Sequence, residues 1–363
     1  MKALRFPSTL LVLTLLAGCG GPAAAPSVSP AASEAASVSK PAASGSVASK
    51  LSSLMKITLG TPSAAAPSAL VPLAKDAGLY EKYGFDATIQ VFDGSKTLLA
   101  SMFSGEVPIT YQGSPEVIAA ALSGADIVMF AGIINTLFFS VYTRPDITDP
   151  AQLKGKKIGY TFAGNDEAGA KVALAHYGLQ IPRDITPVNM QGGQAARIAA
   201  LQNGAVEAVS LAPPFTYQAR KAGLHELAAD AELGVEFQSG TFATSRAYLK
   251  DHRDVVVRFV KAMSEGIKFM KTNKADSIKS LGAYTKTTDP ELLELSYEDF
   301  AQKFISKVPN LTIPGTQYVM DNLIQEPSVK NHKPEDFMDL SIVKELSDQG
   351  FYRGLWGDNT SGV

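Results

Sequence analysis

From Met55 onward the chain alternates short β-type runs with helical stretches that stop at glycine, and no other feature constrains its fold so strongly. Lys56–Gly60 (KITLG) reads as a strand and Leu70–Gly78 as a helix closed by glycine. Asp86–Phe92 is a strand, Lys96–Ser104 a helix and Val107–Gln112 a strand. Ser114–Ser123 is a helix with Ser114 at the capping position and Pro115 in its first turn. Ile127–Gly132 is again a strand, followed by the apolar Leu137–Tyr142. Such a βαβα order implies a largely parallel sheet covered by helices.

A second unit of the same kind follows Arg144-Pro145. Its strands are Lys157–Tyr160, Thr186–Met190 and Val206–Leu211; its helices are Asp166–Tyr177, Gln194–Asn203 and Pro214–Lys221. Two α/β units in series predict two lobes with a cleft between them. The remainder reads as helical. In Asp251–Lys271, Val256, Phe259, Val260, Met263, Ile267 and Met270 recur at three- and four-residue spacing, the stripe of a helix buried on one face. Further helices are expected at Ala275–Tyr284, Pro290–Ser306, Gln317–Ile324 and Leu340–Gln349.

The N-terminal part has a different character. Lys2 and Arg5 precede the apolar run Leu10–Ala17, which is too short to span a bilayer as a permanent helix and has the length of a secretory signal. It ends in Leu16-Ala17-Gly18-Cys19, with small residues before the only cysteine of the chain. This tetrapeptide resembles the lipobox of bacterial lipoproteins, which implies a signal peptide over 1–18 and an acylated Cys19. Ala, Ser, Pro and Gly make up 25 of the 31 residues from Gly20 to Lys50, too little apolar surface to offset the entropy of ordering. Residues 19–54 are therefore expected to form a tether.

Composition excludes several functions. A formal charge of −2 over 363 residues supplies no basic field for nucleic acid. One cysteine rules out disulfides and cysteine-rich metal sites, and four scattered histidines show no paired metal spacing. No GxSxG elbow, P-loop or GxGxxG follows a strand, so no catalytic residue, metal or cofactor is expected.

What stands out is small polar and glycine residues at the carboxyl ends of the expected strands, where open α/β sheets bind ligands and helix N-termini present free N–H groups. The candidate ligand contacts are Ser63, Gly94, Ser95, Gly113, Ser114, Thr136, Asn165, Asp166, Gly192, Pro213, Pro214, Phe215 and Thr241.

The segments Lys75–Phe85 (KDAGLYEKYGF), Leu153–Gly159 (LKGKKIG), Arg197–Ala208 (RIAALQNGAVEA) and Leu211-Ala212-Pro213-Pro214 together resemble substrate-binding proteins of ABC importers, of the nitrate/sulfonate/taurine and thiamine-pyrimidine type. The resemblance covers roughly Lys56 to Val343, in order. It implies a type II periplasmic-binding-protein fold with two crossover segments: lobe one over 55–142, lobe two over 143–240, and a return to lobe one over 241–363. The hinge would lie near Tyr142–Pro145 and Gly240–Ser245. It also implies a small-molecule ligand, permease and ATPase partners, a monomer and an extracytoplasmic location. Service to a sensor, or a pyrimidine-synthesis enzyme on the same fold, are the alternatives. Many relatives carry a Ser-rich turn where this chain has Ala163-Gly164-Asn165-Asp166-Glu167. Asp166 would then either disfavour a full negative charge on the ligand or only offset the helix dipole.

The anchor is testable by fractionation. Cys19→Ala is expected to move the protein from the membrane to the soluble fraction, and wild-type protein found wholly soluble refutes the anchor.

Overall fold

Ten strands form two five-stranded sheets in the computed structural model, which describes residues 53–162 and 164–358. The first sheet holds β1 (Met55–Thr61), β2 (Phe85–Val91), β3 (Ile109–Gln112), β4 (Val128–Thr136) and β10 (Glu236–Thr244), in the order β2-β1-β3-β10-β4. The second holds β5 (Ser140–Thr143), β6 (Lys157–Tyr160), β7 (Thr186–Asn189), β8 (Ala208–Leu211) and β9 (His225–Ala229), in the order β7-β6-β8-β5-β9. Each sheet is parallel except for one inner strand. β10 runs antiparallel to β3 and β4, and β5 runs antiparallel to β8 and β9. This is the two-lobe α/β architecture expected from the sequence.

The chain changes sheets between Thr136 and Ser140 and again between Ala229 and Glu236. The boundaries expected at 142/143 and 240/241 fall inside β5 and β10, and a paired strand cannot be divided between two sheets. The segments that join the two sheets are therefore 137–139 and 230–235, upstream of the expected hinges. Three strands escaped the sequence reading: β5, read only as part of the apolar run Leu137–Tyr142, then β9 and β10. The last (EFQSGTFAT) lacks apolar alternation, yet all but Glu236 is buried. Its polar side chains find tertiary partners: Gln238 Oε1 accepts from the Thr312 N–H at 2.7 Å, and the Thr241 hydroxyl donates to the Gln112 carbonyl at 2.9 Å.

Lobe one carries the largest core. The helix Arg253–Thr272 lays its expected stripe on the sheet, with Val256, Phe259, Val260, Met263, Ile267 and Met270 all buried. Phe259 meets Phe242 of β10 at 5.1 Å between ring centroids and Phe130 of β4 at 6.1 Å, both edge-on. The expected helix Pro290–Ser306 ends at Tyr297 and continues as a π-helical turn, Glu298–Phe304. That turn brings the Phe300 ring 5.2 Å from Phe138 on the first crossover. In lobe two the sheet is covered on both faces, by a cluster around Tyr160 and Leu174 and another around Tyr142 and Leu201.

Because Phe259 joins helix, β4 and β10, Phe259→Ala is expected to cost about 3–5 kcal/mol, read as a lowered Tm; a loss under 1 kcal/mol contradicts this packing.

Candidate functional site

The carboxyl ends of β1 and β3 face those of β6 and β8 across a cleft that encloses a cavity of about 250 Å³. Lobe one contributes Ser63, Gly94, Ser95, Tyr111, Gln112, Gly113 and Glu116; lobe two contributes Thr161, Asn165, Asp166, Gly193, Gln194, Arg197 and Phe215; Phe138 and Phe139 of the first crossover lie between them. Gly94, Gly113, Gly164 and Gly192 hold the N-cap positions of four of the helices that start here.

Of the thirteen candidates, Ser63, Gly94, Ser95, Gly113, Asn165, Asp166 and Phe215 line this cavity. The other six stand elsewhere. Ser114 is wholly buried as the first residue of its helix; Gly113 takes the cap position, and the Ser114 hydroxyl makes no capping bond. Thr136 ends β4 and turns its hydroxyl to the Leu137 carbonyl. Thr241 is buried between β3 and β4 with its hydroxyl committed to Gln112. Gly192 is exposed, one residue before the lining begins. Pro213 and Pro214 are buried between the lining residues Ala212 and Phe215. Cys19 lies outside the described residues.

Four lining residues that matter escaped the sequence reading: Glu116, Arg197, Gln112 and Phe139. Arg197 was visible as an arginine among the alanines of GQAARIAALQ, a costly residue to bury without a purpose. Glu116 gave no signal, since an acid in a helix's first turn needs only the dipole to explain it.

Arg197 and Asp166 form a buried ion pair, 4% and 8% exposed, with the guanidinium 2.6 Å from the carboxylate. Asp166 also accepts the Thr161 N–H at 2.9 Å, and Arg197 donates to the Ser210 carbonyl at 3.0 Å and the Thr161 hydroxyl at 2.6 Å. Asp166 is thus neither a helix cap nor an unpaired charge awaiting a ligand. It stands in the first turn of its helix and lines the cavity, as the two sequence readings require, and it neutralises Arg197, a partner that neither foresaw.

Glu116 stands opposite. Its Oε1 accepts from the Ser95 hydroxyl at 2.8 Å, and its Oε2 has no hydrogen-bond partner. Burial pushes its pKa from 4.5 up to about 7, the Ser95 hydroxyl opposing the rise and Asp166 and Glu167 adding to it. Gly113 is needed at the contact between the lobes. A Cβ there would stand 2.2 Å from Asn165 Oδ1 and 2.5 Å from Glu116 Oε2. Asn165 itself reaches from lobe two to the Ser239 carbonyl of β10 at 2.7 Å. Elsewhere between the lobes, Lys221 pairs with Asp289 at 2.7 Å and Glu291 at 2.8 Å, and the Tyr217 hydroxyl donates to Asp299.

A carboxyl group whose pKa rises on folding costs stability once it ionises. The cost is absent below about pH 4.5, grows as pH rises to about 7, and stays constant above. Glu116→Gln is therefore expected to stabilise the protein near pH 8 by on the order of 3 kcal/mol, read as a raised Tm, and to leave the Tm unchanged near pH 4. Equal shifts at both pH values contradict the burial of a charge.

Known proteins resemble this chain in sequence or in fold. YtlA of Bacillus subtilis is 26% identical over 288 residues, spanning 76% of this chain and 84% of that protein. The alkanesulfonate-binding protein SsuA of Xanthomonas axonopodis pv. citri, solved with MOPS, superposes with a TM-score of 0.64 at 21% identity, over 74% of this chain and 91% of SsuA. The periplasmic nitrate-binding protein NrtA of Synechocystis PCC 6803 gives a TM-score of 0.68 at 16% identity, over 82% and 89%. The NMT1/THI5-like family matches residues 68–276, more than half of the chain, and the chain belongs to that family.

Proposed function

We propose that this protein is the extracytoplasmic solute-binding component of an ABC importer, closing two lobes on a small polar organic molecule and presenting it to a permease driven by an ATPase. The observation that carries this reading is the cavity lined from both lobes at the carboxyl ends of their strands, with its walls joined by only two crossover segments. Such a cleft opens by rotation about the crossovers and closes by burying the ligand. The Lys221 pairs and the Asn165–Ser239 bond are contacts that closure makes and opening breaks.

The activity is capture without chemical change. The lining offers hydrogen-bond donors, acceptors and aromatic faces, with neither histidine nor cysteine among its described residues. A signal peptide and an acylated Cys19 would hold the protein, as a monomer, at the outer surface of a bacterial membrane through a flexible tether. No described helix is long and apolar enough to cross a membrane, so attachment in this reading rests on the lipid.

Mass spectrometry of small molecules that co-purify with the protein tests the reading. A single metabolite is expected; restored at 100 times its Kd, it should stabilise the protein by about 2.7 kcal/mol and reduce the radius of gyration in solution scattering. Deleting the gene should abolish uptake of that metabolite. Conversion of the metabolite by the purified protein, or undiminished uptake in the deletion strain, overturns the proposal.

A further inference from the structure

The polar groups left over in the cleft specify more than its size. Glu116 Oε2, Gln112 Oε1 and Asn165 Oδ1 are buried oxygens without a hydrogen-bond partner, and all three residues line the cavity. The orientation of both amides follows from their other ends. The Asn165 Nδ2 donates to the Ser239 carbonyl at 2.7 Å, and the Gln112 Nε2 donates at 3.1 Å to the Thr110 hydroxyl, whose own proton goes to the Ala243 carbonyl at 3.3 Å, so in each amide the oxygen is the free atom. A buried acceptor without a donor is costly, and three around one cavity call for a ligand that supplies donors.

Charge points the same way. Arg197 is the one lysine or arginine in the described lining, and Asp166 cancels it at 2.6 Å. Its Nε is the only guanidinium nitrogen left without a partner. Glu167, the next acid on the helix behind, pairs with Lys171 at 2.6 Å. Glu116 therefore has no cation of its own. The groups around it are the Ser95 hydroxyl, Tyr111 on β3, the Arg197–Asp166 pair and the Glu167–Lys171 pair. A sulfonate or nitrate placed against Glu116 would meet a like charge in a site shielded from water.

On the reading that this cleft captures a ligand, we infer that Glu116 selects a small molecule carrying a cationic nitrogen group, an amidinium, guanidinium or protonated amine, whose N–H bonds go to Glu116 Oε2, Gln112 Oε1 and Asn165 Oδ1. The flat faces of Phe139 and Phe215 suit an unsaturated or ring-bearing body behind that group. The free N–H groups at the helix N-termini leave room for a neutral acceptor elsewhere on the same molecule.

Because a cation binds the ionised form of Glu116, binding releases a proton. Affinity should rise with pH until Glu116 is fully ionised in the empty cleft.

The test is titration calorimetry on the full chain in detergent, freed of co-purified ligand, with benzamidine and benzenesulfonate as matched probes of opposite charge. Benzamidinium is expected to bind in preference to benzenesulfonate, with an affinity about tenfold higher at about pH 8 than at about pH 6. Glu116→Gln should remove both the preference and the pH dependence while keeping the fold. Ser95→Ala, which takes away the hydroxyl that favours the ionised form, should move the midpoint of the rise to higher pH. Benzenesulfonate binding as tightly as benzamidinium, a pH-independent benzamidinium affinity, or no benzamidinium binding at millimolar concentration overturns the inference. An anionic co-purified metabolite overturns it too while leaving solute capture intact.

Discussion

Each lobe depends on a strand delivered by the other. β5 is an inner strand of the second sheet but follows directly from β4 of the first, and β10 is an inner strand of the first sheet but follows β9 of the second. Neither five-stranded sheet is complete until the chain has crossed, so the crossovers are part of both folds rather than a linker between two finished domains. They are also tied to each other, since the Asp230 N–H donates to the Phe139 carbonyl at 2.9 Å. The helix Asn165–His176 packs over both, with Gly169 so close that a Cβ would stand 2.3 Å from Asp230 and 2.9 Å from Phe139. The position of the cleft follows from this reciprocal pairing.

Electrostatics in the cleft work by cancellation. Four helix N-termini converge there, each offering free N–H groups and the positive end of a dipole, a setting that ordinarily draws anions. This chain adds a buried arginine and then two acids. Asp166 neutralises Arg197, and Glu116 is held beside a serine where it keeps its proton to an unusually high pH. A buried ion pair adds little net stability, because desolvating both charges offsets their attraction. Its effect here is to fix the facing surfaces of the Asn165–His176 and Gly193–Gln202 helices and to remove a free positive charge from the cavity.

The parallel strands and their helices were legible because strands covered on both faces read as short apolar runs bounded by glycine. β10 was not legible. Gln238, Ser239, Thr241 and Thr244 are buried polar residues whose partners on β3, on Pro108 just before it, on β4 and on the chain near Thr312 are remote in sequence. The same distinction governs the site. Small residues at strand ends marked the cleft, because close approach leaves a compositional trace. Glu116 and Asp166 were ambiguous, because an acid in a helical first turn looks the same whether it faces solvent, a ligand or an arginine 31 residues away. Where a side chain's role depends on a partner from another element, local pattern carries no record of it.

Asn165 resting on the bare α-carbon of Gly113 has a mechanical consequence. Two hard surfaces meet there, so in the proposed capture the approach of the lobes ends where backbone geometry sets it and not where the contents of the cleft do. A molecule smaller than the space that remains would rattle inside without drawing the walls closer. A larger one would hold the jaws ajar, keeping the amide off its seat and the Lys221 side chain away from its acids. Under the proposed function, glycine at this point would make the cleft a gauge with a built-in stop, sorting guests by thickness before any hydrogen bond distinguishes them.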